Sequence, residues 1–169
     1  MKKILIILYV TLLFSIEYNI SPDYGQILFE ESTFENPFLG GFNKPKIQWI
    51  DWDSDLDYDL FLLDEGGYIK YFENQNQEFI LKEIDFMDIS NISWFFIGQF
   101  DTDAEFEIIT QDPNDIDQMV YYDIVDSNLI YLGIVQDELD NSVMSNAVMT
   151  PTFSDIDNDG DLDFFTGNM

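Results

Sequence analysis

Apolar residues along most of this chain come in short β-branched and aromatic runs, bounded by Gly, Asn, Asp and Pro, which is the pattern of strands separated by turns. Residues 60–63 form one such run, Asp64-Glu65-Gly66-Gly67 is a turn signal, and residues 68–72 continue as a second strand, so the spacing predicts a hairpin. Further strands are predicted at 79–81, 92–97, 118–125 and 128–135, with segments rich in Asp, Asn and Ser between them. Helical signals are scarce. Phe164 and Phe165 open another strand, and no partner strand follows before Met169, so the chain reads as a truncated piece.

The first residues differ in kind. Lys2 and Lys3 precede an unbroken apolar run over 4–14, followed by Ser15 and Glu17, the charge-then-hydrophobe order of a secretory signal over 1–15. The run is too short for a membrane span, and no A-x-A cleavage site follows it. An uncleaved amphiphilic anchor and a buried core segment are the alternatives. Residues 16–44 carry Pro22, Pro37, Gly25, Gly40 and Gly41 without a clear period, and read as a lead-in with room for one strand.

Three windows align once their acidic residues share a register. Asp51-Trp52-Asp53-Ser54-Asp55-Leu56-Asp57-Tyr58-Asp59 is the first, and Gln99-Phe100-Asp101-Thr102-Asp103-Ala104-Glu105-Phe106-Glu107 the second. The third is Asp155-Ile156-Asp157-Asn158-Asp159-Gly160-Asp161-Leu162-Asp163. Their first positions, 51, 99 and 155, lie 48 and 56 residues apart, close to the size of a four-stranded propeller blade. The expected fold is therefore all-β, with antiparallel four-stranded blades making a partial propeller of about three.

Composition narrows the chemistry. The 169 residues leave room for one domain, and 16 Phe, 9 Tyr and 3 Trp supply too much apolar surface for a disordered acidic tail. Against 34 Asp and Glu stand six Lys and no Arg, for a net charge of -28. Removal of residues 1–15 leaves four Lys against the same 34 acids, or -30. Nucleic acid and anionic membrane surfaces are thus poor partners. Without Cys or His there are no disulfides, ordinary zinc sites or Ser-His and Cys-His nucleophiles. What remains is carboxylate and carbonyl oxygen, which binds hard cations such as Ca2+ or works in acid-base pairs on sugars.

The third window fits D-x-D-x-D-G-x-x-D. Asp155, Asp157 and Asp159 converge their side chains, Asp161 adds a backbone carbonyl and Asp163 a bidentate carboxylate, while Gly160 permits the sharp turn. A helix-loop-helix calcium hand would need Glu at the twelfth place, where Thr166 and Leu62 stand. The first window keeps Asp51, Asp53, Asp55 and Asp59, with Asp57 at the carbonyl place, but has Leu56 where Gly belongs, a source of strain. In the second, Gln99 replaces the first acid and Ala104 the glycine, leaving Asp101, Asp103 and Glu107 as candidate ligands; weak or no binding is expected. The opposing reading is a set of solvated acidic turns. Carboxylates two residues apart, about 6 to 7 Å, repel by about half a kcal/mol per pair in water, and several such pairs in one loop favour a counter-ion.

These residues resemble the FG-GAP/VCBS repeat family, the calcium-bearing blades of integrin-like β-propellers and of many secreted bacterial proteins. The resemblance lies in Thr150-Pro151-Thr152-Phe153 followed by 155–163 and Phe164-Phe165-Thr166-Gly167-Asn168, in 51–63 with Gly66-Gly67 and Tyr71-Phe72-Glu73-Asn74, and in Ile97-Gly98-Gln99-Phe100-Asp101. It covers residues 45–169; no literal Gly-Ala-Pro occurs, and three copies do not close the usual ring of seven. The resemblance implies further blades beyond Met169 and a secreted or cell-surface, adhesion-like module that binds a protein or glycan.

Two other classes compete with that expectation. One is a propeller fragment of an extracellular polysaccharide-degrading enzyme, but calcium accounts for the Asp residues, and a turn accounts for Asp112, Asp115 and Asp117 around Pro113 and Asn114. No catalytic role is expected in this segment. The other is a calcium buffer without a partner, which strands of hydrophobic residues argue against. Trp49, Trp52 and Trp94 are expected in the core rather than on a sugar.

Overall fold

A computed structural model of the chain describes residues 25, 27–29, 32–34, 36, 39–101, 103–144, 151–160 and 162–166. The signal-like segment 1–15 lies outside the described residues, as does Asp161. The described part is all-β and antiparallel, as the hydrophobic pattern predicts. It falls into two units, residues 1–40 and 41–169. In the first, β1 (Ile27–Phe29) pairs with β2 (Ser32–Phe34), so the lead-in holds a short hairpin where one strand was expected.

The second unit contains two four-stranded meanders and a further hairpin. Sheet one orders β3 (Lys46–Ile50), β4 (Asp59–Leu63), β5 (Ile69–Gln75) and β6 (Glu78–Glu83). Sheet two repeats the order with β7 (Phe95–Gly98), β8 (Phe106–Asp112), β9 (Asp115–Val125) and β10 (Asn128–Ile134). The third sheet pairs β11 (Thr152–Ser154) with β12 (Asp163–Phe165), so Phe164 and Phe165 find their partner upstream in the chain. Among the described residues no helix is long and apolar enough to cross a membrane.

Burial explains why the second strand of sheet one reads as an apolar run over 60–63 instead of alternating, while the second strand of sheet two buries Glu107, Thr110 and Gln111 beside its isoleucines. In β4 and β8 both faces are covered, which removes the polar-out positions of a half-exposed strand. Phe61, Leu63, Ile69, Tyr71, Phe95, Ile97, Ile108 and Ile124 form one core, joining sheets one and two. A second core packs Trp94, Ile109 and Met119 with Phe153 and Phe164, joining sheet two to the third sheet. Neighbouring residues of β8 therefore serve opposite cores.

Successive first strands also touch. The Gln48 side chain in β3 donates to the Ile97 carbonyl of β7 and accepts from the Ile97 N–H at 2.8 Å, satisfying backbone groups that no strand covers on that side. In the β4–β5 turn, Gly67 (φ 74°) donates to the Asp64 carbonyl at 2.9 Å, and a Cβ there would stand 3.3 Å from the Asn91 backbone. The three tryptophans divide. Trp94 is fully buried, Trp52 is half-buried among Phe61, Tyr71, Phe86 and Phe106, and Trp49 is 47% exposed with its edge on Phe79.

Candidate metal centre

The three acidic windows occupy the same place in three sheets. Each joins a first strand to a second: β3 to β4, β7 to β8, and β11 to β12. The ninth residue of each window enters the second strand, and its carboxylate reaches back to the second residue's N–H. Asp59 Oδ2 accepts from Trp52 N at 3.2 Å, Glu107 Oε2 from Phe100 N at 2.6 Å and Asp163 Oδ2 from Ile156 N at 2.9 Å. A loop closed at both ends by one side chain holds its remaining carboxylates in place.

The interior of loops one and two is made of Asx turns. Asp53 Oδ1 accepts from Asp55 N and Asp55 Oδ1 from Asp57 N, and in the second loop Asp101 and Asp103 accept in the same way from the N–H groups two residues on. Side-chain oxygens that bind the backbone this way must turn toward the loop centre. Asp51 Oδ2 accepts from Leu56 N and Asp155 Oδ2 from Gly160 N, both at 3.2 Å. Gln99 has no carboxylate to offer, and its amide nitrogen instead donates to the Ala104 carbonyl at 3.4 Å. Left-handed backbone recurs at the fourth and sixth places of loops one and three, with Ser54 at φ 64°, Leu56 at 76°, Asn158 at 60° and Gly160 at 100°. Leu56 thus sits, 92% exposed, in a conformation that suits glycine.

Carboxylate oxygens converge in all three loops: Asp51, Asp53 and Asp55; Asp101, Asp103 and Glu107; Asp155, Asp157 and Asp159. In each set one oxygen per residue lies within 4.8 Å of the others. Two ligands held 2.3 to 2.6 Å from one calcium ion can stand no more than about 5 Å apart, so these sets have the spread of a single shell. Asp59 and Asp163 stand outside the converging sets, and Asp161 lies outside the described residues.

Three oxygens in the loops are buried without a hydrogen-bond partner: Asp51 Oδ1, Asp57 Oδ1 and Glu107 Oε1. A buried carboxylate oxygen left unpaired is costly, and a hard cation is the partner that fits acceptors alone. The electrostatics agree. Burial and the neighbouring Asp55 raise the carboxyl pKa of both Asp53 and Asp57. At Asp103 the hydrogen bond from Glu105 pulls the pKa down, but burial with Asp101 and Glu105 outweighs it and the net direction is up. Burial raises Glu107 most, against the Phe100 hydrogen bond, with Asp101, Asp103 and Asp123 adding to it.

Sequence reasoning missed the second role of the ninth acid. Asp59 is 1% exposed, and besides Trp52 N it accepts from Tyr71 OH at 3.4 Å and, through Oδ1, from Asn74 N at 2.8 Å. Its position at the end of a window was legible, but its partners 12 and 15 residues away depend on strand register. Asp112 and Asp115 end the β8–β9 hairpin, and each accepts from the N–H two residues on, at Asn114 and Asp117.

Compared with known proteins, the chain matches no protein-family model, no curated protein and no solved structure.

Proposed function

We propose that this chain is a calcium-binding repeat module of a secreted or cell-surface protein, built from FG-GAP/VCBS-like blades of a propeller, in which the ions rigidify the loops between first and second strands. The observation that carries the reading is the set of unpartnered, buried carboxylate oxygens on Asp51, Asp57 and Glu107, inside loops that repeat the same hydrogen bonds. The radial placement expected of propeller blades is supported by the approach of β3 to β7 through Gln48. A module of this kind offers a rigid face to an extracellular protein or glycan, in the manner of an adhesion domain.

Calorimetric titration with calcium tests the reading. Sites of about 0.1 mM, as in extracellular modules, are expected, one abolished by Asp53→Ala and another by Asp157→Ala. A folded protein whose titration shows no heat, and whose melting is indifferent to chelator, contradicts it.

A further inference from the structure

The second loop is the most eroded in sequence, yet its ninth acid is as buried as Asp59 in the first loop and, unlike Asp59, keeps one oxygen without a protein donor. Glu107 is 2% exposed, and its Oε1 has no partner while it stands with Asp101 and Asp103 within the spread of one ion shell. Directly opposite it on β9 is Asp123, whose Oδ1 is likewise buried and unpartnered, although Asp123 stands outside the converging set and would have to turn its carboxylate toward the loop to join it. Residues directly opposed in an antiparallel pair share a face, with Cβ atoms about 5 Å apart, and like charges there repel.

Sheet one shows how such a pair is otherwise satisfied. Asp123 lies one residue beyond the Ile108↔Tyr122 pair, as Glu73 lies one residue beyond Leu60↔Phe72. Glu73 meets Lys82 at 2.7 Å, and its neighbour Asp59 accepts three hydrogen bonds. In sheet two the only one of those bonds retained is that from Phe100 N. Tyr121, at the place of Tyr71, leaves Glu107 Oε1 without a partner. The two ion pairs among the described residues are Lys44–Glu65 and Lys82–Glu73, and neither reaches Glu107 or Asp123.

We propose that Asp123 is a ligand from outside the loop, which joins Asp101, Asp103 and Glu107 around one calcium-sized divalent cation and replaces the carboxylate lost at Gln99. One ion then satisfies both orphaned oxygens and cancels the repulsion across β8 and β9. This rests on the reading of the loops as calcium sites.

Calcium titration of the full chain tests it, with Asp123→Asn and Asp123→Thr compared with Glu107→Gln, Asp53→Asn and Asp157→Asn. Either Asp123 variant is expected to weaken one site by at least about tenfold, the same site that Glu107→Gln removes, while the sites removed by Asp53→Asn and Asp157→Asn stay intact. In chelator Asp123→Asn should melt at or above the parent, because a repulsion is gone, and its gain on adding calcium should be smaller. If Glu107→Gln removes a site and the Asp123 variants leave every site unchanged, the ligand role is overturned and the calcium reading stands. If Glu107→Gln removes none while the other loops bind, loop two takes no ion and the inference falls alone. If the folded parent takes up no calcium, the reading beneath it falls as well.

Discussion

At the ninth place of each loop a carboxylate can close the loop through hydrogen bonds, keep an oxygen for an ion, or do both. Asp59 uses both oxygens on protein donors, so its loss should be felt without any metal. Asp59→Ala leaves the N–H groups of Trp52 and Asn74 and the Tyr71 hydroxyl without their acceptor, and should cost about 3 kcal/mol in a chelator-treated denaturant melt. Glu107, Asp53, Asp57 and Asp103 behave differently, because their carboxyl pKa values are raised in the fold. The native state then holds protons that the unfolded chain has released. Ion-free stability therefore falls as pH rises from the ordinary carboxylate range through the raised values, and returns on acidification. Asp64, Glu65, Glu73 and Asp137 are shifted down, led respectively by hydrogen bonds from Lys44 N–H, the Asn43 side chain, Lys82 and Asn141 N–H, and their contribution is lost on acidifying further. The ion-free melting temperature should accordingly peak near about pH 5, while calcium, which competes with protons, moves the optimum toward neutrality. A melting series in chelator that rises steadily from pH 5 to pH 8 would refute this.

Loops and turns set the next scale, where backbone conformation decides what a substitution does. Leu56 and Gly160 share the sixth place and a positive φ, but only one is glycine. Leu56→Gly should stabilise the fold by about 0.5 kcal/mol, the left-handed strain relieved exceeding the chain entropy lost, and should tighten calcium at the first loop. Gly160→Ala meets nothing within 4 Å, so its cost of about 1 kcal/mol is conformational alone. Gly67→Ala adds crowding against Asn91 to a similar strain and should cost more, which ranks the two variants in one thermal experiment. The strands around these turns were legible because both period and punctuation agreed, as at Asp64 to Gly67. Three things were not legible. Strand β9 begins at Asp115, because the Pro113-Asn114 turn is tight enough for Asp112 to pair with it directly. Trp49 is half exposed because its face of β3 also carries the exposed Ile47. The opposition of Glu107 and Asp123 depends on a register that joins residues 16 apart, which no local pattern encodes.

Within the second unit, the second residues of loops one and two tie their own sheets to the next. Trp52 stacks on Phe106 of sheet two at 5.2 Å, and Phe100 meets Phe153 of the third sheet edge-on at 5.0 Å, whereas Ile156 at the same place is 66% exposed. Loop order and sheet packing are thus coupled, since Trp52 and Phe100 also donate the N–H bonds that close their loops. Calcium in the loops should therefore raise the stability of the whole unit, by about 1.4 kcal/mol per site at tenfold excess over the dissociation constant. The most direct test is a count of bound ions by native mass spectrometry at rising calcium, for the full chain and for the combined variant Asp53→Ala, Asp103→Ala, Asp157→Ala. More than one calcium per folded chain, none on the folded variant, and a matching rise in melting temperature confined to the parent are predicted. Equal binding by parent and variant, or a folded parent without bound calcium, contradicts the loops as ion sites.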